Sequence, residues 1–200
     1  MFTGIIETQG SVLSITANGT NVTYTIYASF TKDLKVDQSV SHNGVCLTIE
    51  NINIEASTYQ VTAIKETLDK TELKDWRINS KVNLERGVLP SSRIDGHFVQ
   101  GHVDTTARCK KVLDQNGSWL FTFEFDNTFA PLIIEKGSIC VNGISLTAFN
   151  VKNNAFDVAI IPFTWNNTNI SEVSEGIEVN IEFDMIGKYI LRKLSLESDD

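Results

Sequence analysis

Residues 39–49 read SVSHNGVCLTI, and residues 138–148 read SICVNGISLTA. The two stretches share the pattern Ser-x-x-x-Asn-Gly-x-x-Leu-Thr at a separation of 99 positions, and the agreement extends in both directions. Upstream, Gly4 recurs as Gly101 and the pair Asn18-Gly19 as Asn116-Gly117. Downstream, Thr67 and Thr71 recur as Thr164 and Thr168, and VNLE from Val82 recurs as VNIE from Val179. Every separation falls between 97 and 99, which is the mark of an internal duplication. The unit is too long for the roughly 20 to 50 residue repeats of solenoids and propellers, so each copy is expected to be a small domain with its own core. Matched positions then read as scaffold, and mismatched positions as places where chemistry has been added.

Composition bounds the partners. A chain of 200 residues with 42% hydrophobic content can bury a sizeable core. Its 25 acidic against 17 basic residues, a formal charge of -8, argue against an electrostatic grip on nucleic acid or an anionic membrane and favour a neutral small molecule. Cys46, Cys109 and Cys140 show no CxxC spacing, so neither a disulfide framework nor a zinc site is indicated and a reducing cytoplasm is the expected location. MFTGIIETQG lacks the features of a signal peptide, and no run approaches the ~18 apolar residues of a membrane helix.

Alternation at period two dominates. Phe121, Phe123 and Phe125 are interleaved with Thr122 and Glu124, and NVTYTIYASF from Asn21 has the same β-branched and aromatic richness. Both follow an Asn-Gly pair, a strong hairpin signal. Further strands are expected over residues 39–50, 59–64 and 81–85, with partners over 138–150, 155–161 and 178–183. Six strands per copy suit a small antiparallel barrel, whose closure removes exposed edges. Helical pieces are expected near residues 31–36 and 69–73. At the end, Met185, Ile186, Tyr189, Ile190, Leu191 and Leu194 repeat at helical spacing with no counterpart in the first copy. That stripe wants burial against its own barrel or against another chain. The linker GVLPSSRIDG from Gly87 divides the chain into units 1–96 and 97–184, followed by the helix and acidic tail over 185–200.

The mismatches concentrate in few places. Ile5 stands opposite His102, Cys46 opposite Ser145, Lys65-Glu66-Thr67 opposite Pro162-Phe163-Thr164, and Phe2 opposite Val99. By this alignment copy two has gained a proton carrier. A lone histidine in a β domain is more often structural, and a lone cysteine is more often a small buried hydrophobe. His97 and His102 lack the spacing of a helical zinc pair, and Ser145 lacks the GxSxG elbow of a hydrolase.

MFTGIIE, HNGVCLT, KETL, GHFVQGHVD, NGISLT and the VNxE pair, in this order, resemble the riboflavin synthase family of alpha-chain type, within the lumazine-binding superfamily. The resemblance covers nearly the whole chain. It implies an all-β fold of two tandem six-stranded antiparallel Greek-key barrels, with a C-terminal helix that assembles a homotrimer, and it extends to association with lumazine synthase. The implied reaction is the dismutation of two molecules of 6,7-dimethyl-8-ribityllumazine to riboflavin and 5-amino-6-(ribitylamino)uracil, without cofactor or metal.

By the same resemblance the site lies between the first barrel of one subunit and the second barrel of its neighbour. His102 is the first choice for proton transfer, because an imidazole titrates close to neutrality. Cys46 and Ser145, with Thr48 and Thr147, orient the rings or supply a transient nucleophile. Phe2, Ser39, Asn142 and Asp184 match positions around the family site. Gly4, Ile5 and Ile6, the wall residues Thr62, Ala63, Ile64, Lys65, Glu66 and Thr67, and their counterparts Ile160, Ile161, Pro162, Phe163, Thr164 and Trp165 line the pockets. Leu47, Leu146, Val103, Asp104 and Lys136 lie nearby. Three residues depart from the family pattern: Asn142 replaces an aspartate, and Phe163 and Trp165 replace a polar residue and a leucine. A non-catalytic lumazine or flavin binder of the same fold is the rival reading, and retention of Phe2, Cys46, His102 and Ser145 favours the enzyme.

Overall fold

The computed structural model describes residues 1–197. The first copy runs through β1 (Thr8–Asn18), β2 (Asn21–Tyr27), β3 (Ser39–His42), β4 (Val45–Asn53), β5 (Thr58–Ala63), the short helix α1 (Lys65–Lys70) and β6 (Lys81–Arg86). Its strands close into an antiparallel barrel in the order β1-β2-β5-β4-β3-β6. The second copy repeats the course as β7 (Thr105–Asp114), β8 (Trp119–Glu124), β9 (Ser138–Val141), β10 (Ile144–Thr147), β11 (Ala155–Ile160), α2 (Pro162–Asn167) and β12 (Glu178–Phe183), before α3 (Met185–Glu197). Its order is β10-β9-β12-β7-β8-β11. Here β10 is short, and the β10 side meets β11 through one two-way bridge between Phe149 and Asp157, with N to O distances of 3.0 and 2.8 Å.

Residues 39–50 and 138–150, expected as single strands, are each bent by their Asn-Gly pair. Asn43 and Gly44 lie at φ 47° and 83°, and Asn142 and Gly143 at 46° and 79°. Two successive left-handed residues make the tight hairpin turn that asparagine and glycine tolerate best. Each stretch is therefore a hairpin, β3–β4 or β9–β10. The two tips touch: a Cβ on Gly44 would stand 2.9 Å from Gly143 N, and one on Gly143 would stand 2.8 Å from Gly44 N.

Around this contact a reciprocal network relates the barrels by a pseudo-twofold axis. Asn83 Nδ2 donates to Asn142 O and Asn180 Nδ2 to Asn43 O, both at 2.9 Å. Asn43 and Asn142 in turn accept the backbone N–H of Asn83 and Asn180 at 2.7 Å each. All four asparagines are buried, so the recurrent asparagines satisfy one another across the seam, as buried amides must. Asn142, matched by resemblance to the site, belongs to this seam.

The remaining matched residues are also scaffold. Thr71 and Thr168 donate to the carbonyls of Thr67 and Thr164 at 2.7 and 2.8 Å, and cap the 3-10 turns that follow. The expected helical pieces appear as a 3-10 turn at Thr31–Asp33 and as α1 with a turn at Glu72–Asp75. The C-terminal helix is present and begins where Asp184 Oδ1 accepts Ile186 N–H at 2.9 Å. Ile186, Tyr189, Ile190 and Leu194 remain exposed along it. Of the acidic end, residues 198–200 lie outside the described residues.

Candidate functional site

The segments leading into the two barrels cross over. Residues 2–6 precede the first barrel in sequence, yet Gly4 O accepts Ser145 N–H at 2.8 Å and Ile6 packs on the second core. Residues 99–103 precede the second barrel, yet Gly101 O accepts Cys46 N–H at 2.8 Å and Val103 packs on the first core. Where these two straps pass, Phe2 and Val99 form an antiparallel bridge. Gly4 and Gly101 have positive φ, and a Cβ on either would lie within 2.7 Å of Ser145 or Cys46 atoms, so the approach demands glycine. His102, a residue of copy two by alignment, follows Gly101 on the strap that lies over the first barrel, and its side chain is exposed there.

The hairpins supply the other groups. Side chains alternate along β4 and β10, so Val45, Leu47 and Ile144 face inward while Cys46, Thr48, Ser145 and Thr147 face out. Cross-strand pairing sets Ser41 beside Cys46 and Cys140 beside Ser145. Each rung thus carries one thiol and one hydroxyl, exchanged between the copies. Ser41 and Cys140 are 1% exposed, whereas Cys46 and Ser145 reach the surface. Burial pushes the Cys140 thiol well up, which keeps it protonated and inert. The neighbouring rungs pair Ser39 with Thr48 and Ser138 with Thr147 on the exposed side. Phe2, 1% exposed, packs with Val99 and Cys140 and against Cys46, so it supports the Cys46 rung from behind.

One residue that sequence reasoning passed over joins the second constellation. His97 Nδ1 lies 2.7 Å from Ser145 Oγ, and its backbone N–H donates to Thr3 O at 3.1 Å. Burial lowers the His97 pKa, against a smaller opposing pull from the Asp184 charge. A neutral imidazole can accept the serine proton. In the sequence His97 stands out only by its distance from His102, and nothing in the spacing of GHFVQGH signals a hydroxyl 48 residues away.

The wall residues take the following places. In the first barrel Ala63 faces the core, while Thr62 bonds Thr23 and Glu50 on the outer surface at 2.8 and 2.9 Å. Ile64 is exposed at the head of α1, where Lys65 pairs with Asp69 and Glu66 with Lys70. In the second barrel Ile160 faces the core, and Ile161, Pro162 and Phe163 are exposed at the head of α2. Trp165 stacks on Trp119, ring centroids 3.9 Å apart and planes within 10°. Leu146 packs on the second core. Lys136 Nζ lies 4.6 Å over the Phe149 ring, and Asp104 pairs with Lys188 of α3 at 2.6 Å. In the first barrel the β4–β5 ladder, with Ile49 against Val61, leads toward the α1 head, so Cys46, Thr48, the α1 head and residues 101–103 gather there. Ser145, Thr147, His97, the α2 head and residues 4–6 gather at the second. A cavity of about 630 Å³ under the linker is lined by Arg86, Val88 and Arg93, and also by Thr3, Ile5, Ser39 and Glu85.

Comparison with known proteins agrees with this two-fold plan. The family model for the lumazine binding domain matches residues 3–87 and 100–184. The chain is 38% identical over 195 residues to riboflavin synthase of Bacillus subtilis, covering 97% of this chain and 90% of that protein. It is 35% identical over 209 residues to riboflavin synthase of Saccharomyces cerevisiae, covering 98% of this chain and 87% of that one. Among solved structures, LumP complexed with riboflavin superposes with a TM-score of 0.84 at 18% identity, over 92% of this chain and 100% of LumP. LumP complexed with 6,7-dimethyl-8-(1'-D-ribityl) lumazine gives 0.82 at 18% identity, over 92% and 99%; at such identity the likeness is one of fold.

Proposed function

The chain belongs to the lumazine-binding domain family and, within it, to the riboflavin synthases, and from that premise we propose that its two constellations each seat one molecule of 6,7-dimethyl-8-ribityllumazine. Two such molecules contain all the atoms of riboflavin and 5-amino-6-(ribitylamino)uracil, so moving a four-carbon unit between them needs no outside oxidant or reductant. What the protein must supply is proton transfer and orientation.

The observation that carries this reading is that two like sockets hold unlike acid–base groups: Ser145 against His97 in one, Cys46 beside the His102 strap in the other. His102 removes a proton from the C7 methyl of one lumazine. Ser145 Oγ, its proton accepted by His97, adds transiently to C7 of the other, which prepares that ring for attack by the carbanion, and it is expelled later with return of the proton from His97. Thr48, Thr147 and Ser39 orient the rings through their hydroxyls, and strap backbone amides pair with the pyrimidine edge. Phe2 and Asp184 act from behind, the first by packing on Cys46 and the second through its charge near His97. Lys136, Asp104 and the heads of α1 and α2 complete the walls.

The functional units are 1–96 and 97–184, with 185–200 assembling three chains so that the first socket of one faces the second socket of its neighbour. The exposed apolar residues of α3 support this, since such a face is stable only when covered. Free thiols at Cys46, Cys109 and Cys140 suit a cytoplasmic enzyme. Incubating the purified protein with the lumazine alone should raise flavin absorbance; bound lumazine without flavin would leave only a binder. Deleting the residues after Asp184 should abolish the trimer, and an intact trimer by light scattering would refute the role given to α3.

A further inference from the structure

Each strap ends on a buried carboxylate of the VNxE strand end. Glu182 on β12 accepts the backbone N–H groups of Gln100, Gly101 and His102 at 2.7, 2.8 and 2.8 Å. Glu85 on β6 accepts those of Thr3 and Gly4 at 2.6 and 2.9 Å, and the Thr3 hydroxyl at 2.7 Å. Both side chains are buried, Glu182 2% and Glu85 4% exposed. Burial raises both carboxyl pKa values, and the converging donors oppose that rise. The far end of each strap is fastened as well: Glu7 accepts Arg86 N–H at 2.6 Å, and its counterpart Asp104 accepts Phe183 N–H at 2.9 Å.

We propose that Glu182 and Glu85 are reciprocal positioning residues for the reaction, each rooted in one barrel and fixing the strap that completes the socket of the other. Glu182, a second-barrel residue, sets the backbone of His102 over the first barrel beside Cys46. Glu85, a first-barrel residue, sets Thr3 and Gly4, and through them the carbonyls that hold His97 N–H and Ser145 N–H. A carboxylate suits this task because it is acceptor-only and can take three donors at once. A glutamine would turn its own N–H₂ toward strap amides and leave part of the group unpaired. The inference deepens the functional reading above and rests on it for the assignment of His102, while the placement of the straps can be tested without turnover.

The test compares Glu182→Gln and Glu85→Gln by NMR of labelled histidine and by flavin formation. Glu182→Gln should shift or broaden the ring signals of His102 and leave those of His97 in place, and Glu85→Gln should do the reverse. His42, buried in the first barrel and bonded to Val40 and Tyr59, serves as the internal report of folding. Turnover should fall about 10- to 100-fold in each, as expected for small displacements of catalytic groups, and Glu182→Asp, which keeps both oxygens, should recover part of the loss. If either glutamine variant does not fold, the aspartate variant at the same position carries the same histidine comparison. Histidine signals that move alike in both variants, or in neither, would overturn the proposal. A wild-type chain that makes no flavin would instead count against the reaction assigned above.

Discussion

The two barrels share strand order and register but differ in what fills them. Barrel one places Tyr24, Ile26, Ala28, Tyr59 and Trp76 where barrel two places Phe121, Phe123, Phe125, Phe156 and Val173. Every polar tip in the first set is spoken for: Tyr24 OH donates to Leu73 O at 2.9 Å, Trp76 Nε1 to Glu72 at 2.8 Å, and Tyr59 OH lies 2.8 Å from His42 Nε2. Barrel two replaces the whole set by hydrocarbon, with Phe125 and Phe129 packing on Phe183. The same topology is thus held by a hydrogen-bonded core on one side and an aromatic core on the other. Identical scaffolds tolerate this because the seam and straps, not the interiors, are what the copies must keep in common.

The sockets give the largest expected contrast. Ser145→Ala should cut turnover by about 100-fold or more, in the range of lost acid–base catalysis, while Cys46→Ser should cost less than about tenfold. Steady-state flavin formation checks both, and equal losses would remove the assigned difference in roles. Next comes the core. Phe125→Ala gives barrel two the residue that barrel one has at Ala28, and should cost about 3 to 5 kcal/mol in urea unfolding because the space around Phe156 and Phe183 is not refilled.

Acid should then act through barrel one. His42 is fully buried, burial lowers its pKa from 6.5 to about 4, and its counterpart is Val141. The folded chain resists protonating His42, so its stabilising effect is complete above pH 6.5 and is lost as pH falls toward 4. The loss is on the order of 3 kcal/mol. Replacing His42→Val together with Tyr59→Phe should flatten that stretch of the stability profile; an unchanged slope would place the titration elsewhere. The smallest effect should be symmetric: Thr71→Ala and Thr168→Ala remove matching caps and should each cost about 1 kcal/mol, measured by thermal unfolding. Unequal costs would show that matched positions are not equivalent scaffold.

Much of this was open to a reading of the chain. The duplication, the alternating strands and the apolar C-terminal stripe are local patterns, and local patterns report which face of an element is buried. The inner turn at Asn43-Gly44 hides within a strand-like run because the arms on either side are short, four residues in β3. What stayed hidden depends on which element lies against which. The crossing of the straps, the His97–Ser145 contact and the three donors on Glu182 each join residues dozens of positions apart. VNxE was visible only as a repeat marker, since a conserved-looking glutamate at a strand end gives no hint that backbone amides converge on it.

The crossing of the straps also orders events in time. A chain emerging from the ribosome can close β1 to β6 as soon as Arg86 is made, yet Gly4 has no Ser145 to meet until most of the second copy has followed. Thr3 and Gly4 can fasten to Glu85 once β6 is made, but the bond from Ser145 to Gly4 must wait, and contacts of such long sequence separation form slowly. Neither socket has its full set of groups in a chain that stops at Arg86, because the strap of the first and the hairpin of the second are still to come.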